Sequence, residues 1–288
     1  MKRLDKSEII FKVLAYVLLT VFALMCLFPF AFLLANTFSA KDAVDNSMVT
    51  VFPIGFQIDA LLEVINAKGF WISYCNSIFI TMYGTLISML VAITGAYALS
   101  KTRLMFGRGF NFMLVFTMWF SAGMIPTLQN FLRFGVNNRE MFIIALGFNA
   151  FNIILLRNYF SSVPTEIEEA ATIDGATEFQ ILTRVYIPMS KASIATVAMF
   201  YAVSRWNGYM WAQMLLSEND QPLQVYIKIY MPNYLKKIEE MTSSMDLNYS
   251  PYSVQYALIV CSIIPIIIIY PKLSKYFAAG VNVGGVKE

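Results

Sequence analysis

The sequence predicts an all-α integral membrane protein of six transmembrane helices, and three observations carry that reading. The 288 residues are 58% hydrophobic, 15% aromatic and only 14% charged, with a mean hydropathy of +0.61, too apolar for a soluble domain. Six stretches, at about residues 13–36, 74–100, 109–127, 141–156, 192–216 and 253–271, hold no charged side chain except Arg205. A helix needs about 20 such residues to cross a hydrocarbon core of roughly 30 Å. The runs are also continuously apolar, where a barrel strand would alternate and need only about 10 residues.

Taken in order, the first run follows Lys2, Arg3, Lys6 and Lys12. It exceeds the roughly 7 to 15 residues of a secretory signal core, so it reads as a retained anchor. The fourth run is the shortest and reads as tilted or as extending past Arg157. The fifth is followed by an outer segment, Ser217 to Tyr252, that mixes charges with Pro222, Pro232, Tyr226, Tyr230 and Tyr234, the composition of an ordered loop with short helix. The expected division is a cytoplasmic N-terminus at 1–12, one six-helix domain at 13–278 and a cytoplasmic tail at 279–288.

Orientation follows from the basic residues, since Lys and Arg of short loops stay on the cytoplasmic side. With the N-terminus inside, the inner segments hold Lys2, Arg3, Lys6, Lys12, Lys101, Arg103, Arg108, Arg157, Arg184, Lys191, Lys272, Lys275 and Lys287. The outer ones hold only Lys41, Lys68, Arg133, Arg139, Lys228, Lys236 and Lys237. Both termini are therefore expected in the cytoplasm, and the net charge of +3 gives no reason to expect a nucleic-acid partner.

None of the 18 acids falls inside a span and the chain has no His. Coupled carriers keep ionisable groups at an intramembrane coupling site, and Arg205 does not titrate at physiological pH. A proton-coupled carrier is thus disfavoured, while sodium held by carbonyls of a broken helix stays open. Cys26, Cys75 and Cys261 sit in or beside different spans and read as small apolar fillers. No catalytic constellation, metal-ligand cluster or G-x-x-x-x-G-K-[ST] phosphate loop occurs. No cofactor is expected on this chain, and the energy of any active transport must come from a partner.

The inner segment between the fourth and fifth spans, Pro164 to Ser190, reads PTEIEEAATIDGATEFQILTRVYIPMS. Pro164 with Glu166, Glu168 and Glu169 marks a helix start. Gly175 interrupts it, and a second helical stretch runs from about Thr177 until Pro188 stops it. An ordinary solvated loop or a membrane-surface helix would also fit this pattern.

The same segment resembles the "EAA" signature of importer-type ABC permeases, E-A-A, three residues, G, nine residues, then I-x-L-P. Glu169, Ala170, Ala171, Gly175, Val185, Ile187 and Pro188 fall in register, with Val and Ile replacing Ile and Leu at two positions. The resemblance implies the type I ABC importer fold, with 164–190 as a cytoplasmic coupling loop whose Glu168, Glu169, Ala170, Ala171, Asp174, Gly175 and Pro188 meet an ATPase subunit. It continues through FPFAFLLANTFS, the stretch Tyr74 to Leu104, and the tail YPKLSKYFAAGVNVGGVKE, which are similar to the second membrane subunit of maltose-type transporters. What this implies is a multi-pass protein of the bacterial cell membrane in a hetero-oligomer. Its partners would be a related permease, two ATPase subunits that bind ATP and Mg, and an extracytoplasmic solute-binding protein, with a sugar or oligosaccharide as cargo. Where many relatives carry an acid after Trp206 and Asn207, this chain has Gly208, so that acid's role does not transfer.

For the cargo path, sugars offer apolar ring faces to aromatics and hydroxyls to amides or charges. Asn149, Asn152, Arg205, Trp206, Asn207 and Trp211 are the candidates. Arg205 lies roughly 21 Å along a helix from Lys191, inside the bilayer, where it must find carbonyls, water or an anion. A structural partner on another helix or on the companion subunit is the plainer role for it, and a place on the translocation path of an anionic sugar the functional one. A permease of the same fold for a peptide or other anion is the first alternative. A secondary carrier or membrane scaffold, which needs no ATPase, is the second.

Overall fold

The computed structural model describes residues 6–230, Asn233 and residues 248–281. Lys2, Arg3, Pro232, Tyr234, Lys236, Lys237 and the tail positions Gly284 to Lys287 therefore lie outside the described residues. All regular structure among the described residues is helical. In chain order the helices are α1 (Lys6–Thr37), α2 (Lys41–Asp45), α3 (Asp59–Asn66), α4 (Lys68–Ser100), α5 (Gly107–Trp119), α6 (Met124–Arg133), α7 (Arg139–Ala145) and α8 (Ala150–Phe160). They continue as α9 (Thr165–Ile173), α10 (Glu178–Ile181), a π-helical turn (Leu182–Tyr186), α11 (Ile187–Met189), α12 (Lys191–Asn207), α13 (Met210–Leu215) and α14 (Pro251–Val281).

Among the described residues three helices are long and apolar enough to cross a membrane: Ser7–Thr37, Lys68–Ser100 and Pro251–Pro271. The expected third and fourth spans are bent pairs instead, α5 with α6 at 118° and α7 with α8 at 54°. The fifth breaks at Gly208 into α12 and α13. Each break has a local cause. Gly123 takes φ +85, a conformation L side chains avoid. Asn149 leaves the helical region and its Oδ1 accepts from the Asn152 backbone N–H at 3.0 Å, capping α8. At Gly208 a Cβ would sit 3.0 Å from the Ser204 carbonyl oxygen. A search for charge-free runs passes over all three, because Gly123, Asn149 and Gly208 carry no charge.

The chain falls into two compact units, Met1–Phe70 with Ile227–Ile264, and Trp71–Tyr226 with Pro265–Glu288. In the first, the apolar window of α1 is wholly unburied, as suits a lipid-facing helix. The end of α1 is different: Ala35 packs with Ala43, Val44 and Val49, and Ser39 donates to the Ala35 carbonyl at 2.6 Å while accepting from Ile54 N–H at 3.0 Å.

In the second unit α4 carries two cores. Ala92 and Ala96, fully buried one helical turn apart, admit a cluster with Ile153, Leu156, Phe160, Val197 and Tyr201. Small residues at such a seam allow close helix approach inside a membrane. Nearer the other end of α4, Ile80 packs with Val136, Phe142, Ala212 and Leu215. There Arg139 donates to Asn76 Oδ1 at 2.7 Å and pairs with Asp220 at 3.2 Å, while the Asn76 amide holds the Asn219 and Gln221 carbonyls. The segment after α13 is thereby pinned to the start of α4.

Candidate functional sites

The 164–190 segment folds as helix, turn and helix. Glu166 and Glu168 occupy the first turn of α9, where carboxylates favour the positive helix end. Gly175 takes φ +78, and the N–H groups of Gly175 and Ala176 close on the Thr172 and Ala171 carbonyls at 3.0 Å each, the left-handed helix ending that favours glycine. Thr177 and Gln180 then cap α10 reciprocally. Pro188 does not end this stretch: the π-helical turn precedes it, α11 carries it to Met189, and the chain breaks at Ser190 before α12.

The candidate contact residues of this loop divide into two sets. Glu169, Ala170, Asp174, Gly175 and Pro188 are exposed, and Ala171 is half-buried. Ile173 and Phe179 are large apolar side chains left 86% and 73% exposed, so the face of α9 and α10 that carries them is uncovered in this chain. Glu168 instead turns inward. Its carboxylate pairs with Lys101 Nζ at 2.7 Å and accepts from the Tyr186 hydroxyl at 2.6 Å, and Lys101 also donates to Tyr186 at 3.0 Å. The Lys101 ammonium lies 4.2 Å and 4.1 Å from the Tyr97 and Tyr186 ring centroids. Tyr97 donates to Glu178 at 2.7 Å, and Arg103 closes the cluster on Glu178, with Glu168 3.7 Å away. The end of α4 is thus latched to α9, α10 and the π turn.

Electrostatics agree with the geometry. Burial raises the Glu168 pKa, but the hydrogen bonds from Lys101 and Tyr186 and the charges of Lys101 and Arg103 outweigh it and hold the carboxyl below its ordinary value. Glu178 is lowered by the Tyr97 hydrogen bond, against a partial opposing effect of burial, and by Arg103. Burial and the Glu168 contact push the Tyr186 phenol well up, keeping it a donor. A depressed carboxylate contributes stability above its unfolded pKa and loses it as pH falls through the folded one. The latch is therefore expected to be full at neutral pH and to weaken below about pH 4. Thermal midpoints of the purified complex should fall more between about pH 6 and pH 3 for the wild type than for Glu168→Gln; parallel falls would show that the latch is not ionic.

The second site surrounds Arg205, which is 8% exposed. Its Nη2 donates to the carbonyls of Ile143 at 3.2 Å and Leu146 at 2.5 Å and to Ser88 Oγ at 3.1 Å. The guanidinium therefore caps the C-terminal end of α7, where unpaired carbonyls carry partial negative charge. Gly84 makes room for it: a Cβ there would lie 3.1 Å from Arg205 Nε. Beside it is a cavity of about 650 Å³ lined by Asn149, Asn152, Arg205, Asn207 and Trp211 among others. Five of the six residues predicted from sequence thus meet at one cavity. Trp206 does not line it, and packs edge-on against Tyr74 at 6.1 Å. The plainer role expected for Arg205, a partner on another element, is present together with the position beside a cavity. Sequence reasoning missed Tyr97, Lys101, Arg103, Glu178 and Tyr186; the only available signal was a charged pair, Lys101 and Arg103, directly after a span.

Comparison with known proteins places these features in a family. A model described as "Binding-protein-dependent transport system inner membrane component" matches residues 84–283, which include both sites. The chain is 34% identical over 286 residues to the polygalacturonan/rhamnogalacturonan transport system permease protein YtcP of Bacillus subtilis, covering 96% of this chain and 98% of that protein. It is similar, at 42% identity and a TM-score of 0.89, to a chain in the crystal structure of a bacterial ABC transporter involved in the import of the acidic polysaccharide alginate, with 96% of this chain and 100% of that one covered. A chain from a bacterial alginate ABC transporter in complex with an alginate pentasaccharide-bound periplasmic protein shares the fold, at 15% identity and a TM-score of 0.57 over 91% of this chain and 92% of that one.

Proposed function

The chain belongs to the binding-protein-dependent transport system inner membrane component family, and from that premise we propose that it is the permease subunit of an ATP-driven oligosaccharide importer. With a second permease it would form the membrane path, receiving cargo from an extracytoplasmic binding protein and motion from two ATPase subunits that bind ATP and Mg. The observation that carries this reading is the inner loop. A face bearing Ile173 and Phe179 is left open on α9 and α10 beside exposed Glu169, while Glu168 fixes the same helix to the end of α4 through Lys101. One side offers small and apolar surface to a partner's groove, and the other passes its displacement to a long helix.

On this reading the chain crosses the membrane six times, through α1, α4, α5 with α6, α7 with α8, α12 with α13, and α14; three of these helices and two bent pairs are long and apolar enough to do so. Interrupted helices fit a transporter, since broken backbone at membrane depth is tolerated where it lines a cavity. On the basic-residue distribution both termini and the 164–190 loop face the cytoplasm. A saccharide is favoured over a peptide because the relatives named above are described as polygalacturonan/rhamnogalacturonan and alginate transporters. The test is uptake into proteoliposomes by the complex purified through this chain, with its binding protein and labelled oligosaccharides. Uptake that stops without ATP or without the binding protein is expected; uptake driven by an ion gradient with no ATPase present would overturn the reading.

A further inference from the structure

We propose that the cavity beside Arg205 is a cargo subsite on this subunit that seats a carboxylate-bearing glycosyl unit. The inference rests on the oligosaccharide reading above and adds the charge of the sugar and the place where it is read. The first support is charge balance. No Asp or Glu among the described residues lines the cavity, and the three acceptors on Arg205 are two carbonyls and a hydroxyl, all neutral. All three are held by Nη2, and the buried Nη1 has no hydrogen-bond partner among the described residues. A cation at membrane depth keeps its charge only with compensation, and an anion brought to it in a poorly hydrated site is held far more strongly than in water. A carboxylate would take one charge-assisted hydrogen bond from the unpartnered Nη1.

The second support is the remaining lining. Asn149 is the cap of α8 and Asn152 lies in its first turn, so the positive end of an 11-residue helix opens on the same space. Trp211 and Tyr209 line it with aromatic side chains, and Asn207 with an amide that suits hydroxyls. The volume, about 650 Å³, falls within the roughly 300 to 1,000 Å³ of small-molecule sites. A neutral sugar would use the rings and amides and leave the cation uncompensated, so the site discriminates by charge.

The experiment uses the whole complex in proteoliposomes with its binding protein and labelled trigalacturonate, trimannuronate and maltotriose. Wild type should import an acidic probe. Arg205→Gln should cut that uptake at least about tenfold, the range of one charged hydrogen bond. Because Arg205 also holds α7, a second variant separates the roles. Asn207→Asp is isosteric, touches none of the Arg205 hydrogen bonds, and places a negative charge in the cavity. It should lower uptake of the acidic probe about tenfold with the thermal midpoint unchanged. Asn207→Asp importing the acidic probe as wild type does, with Arg205→Gln losing uptake only in step with its thermal midpoint, would make Arg205 a structural anchor and overturn the proposal. Import of maltotriose alone would overturn the subsite and leave the oligosaccharide importer standing. Import of no saccharide would overturn both.

Discussion

Replacing Lys101 with Met is expected to leave the complex assembled in the membrane while ATP-dependent uptake falls at least about tenfold and ATP hydrolysis continues. Lys101 is the hub of the latch: its ammonium pairs with Glu168, donates to Tyr186 and lies over two aromatic rings. Its side chain is 9% exposed and that of Glu168 17%, so the pair is neither fully dry nor freely solvated. Removing one partner of a buried pair costs about 3 to 5 kcal/mol. Arg103 at 3.7 Å and the Tyr186 hydroxyl still face Glu168, and the cost here should be nearer about 2 kcal/mol. That is below the roughly 5 to 15 kcal/mol that holds a folded domain together and large for the orientation of α9. Parallel measurement of uptake and ATPase activity in proteoliposomes separates uncoupling from misassembly. The double variant Lys101→Met with Glu168→Gln should be milder than Lys101→Met alone, because it leaves no stranded charge. Normal coupling in Lys101→Met would mean that motion reaches α4 by another route.

Gly175→Val is the second large effect expected. Nothing lies within 4 Å of a Cβ built at Gly175, so the substitution meets no neighbour. Its cost is in the backbone, where φ +78 is disfavoured for an L residue by roughly 1 to 2 kcal/mol and more so for a β-branched one. The chain would relieve that strain by reshaping the turn, and the exposed faces of α9 and α10 would no longer present together. Membrane insertion should be normal and uptake should drop at least about tenfold relative to hydrolysis. Gly175→Asn, which tolerates the left-handed region, should retain most transport. Full uptake in Gly175→Val would remove the turn from the coupling mechanism.

Much of the 164–190 loop was legible in the sequence because its signals are local. Pro164 and the acids after it mark the start of α9, and glycine at a helix end marks the turn. The latch was not legible, since Tyr97 and Glu178 are 81 residues apart and nothing in either neighbourhood names the other. Arg205 shows the same divide. That a buried cation must find carbonyls follows from its place in an apolar run, but which carbonyls depends on the break between α7 and α8, and main-chain oxygens leave no trace in sequence. Continuous spans were expected where Gly123, Asn149 and Gly208 interrupt them, because hydropathy sums side chains and ignores the backbone between them.

The π-helical turn at Leu182–Tyr186 has a consequence for phase. A wider turn takes in about one residue more than an α-turn, and each residue of an α-helix advances the direction of its side chain by about 100°. Everything from Ile187 onward is therefore rotated relative to a regular helix begun at Thr177. Tyr186, the last residue of the turn, meets Glu168 and Lys101, and past it Pro188 remains exposed, its missing N–H falling beside a ladder that is already interrupted. The loop thus works like a gear set one tooth out of register, and losing a single residue from the turn would swing the entry of α12 by about a quarter revolution.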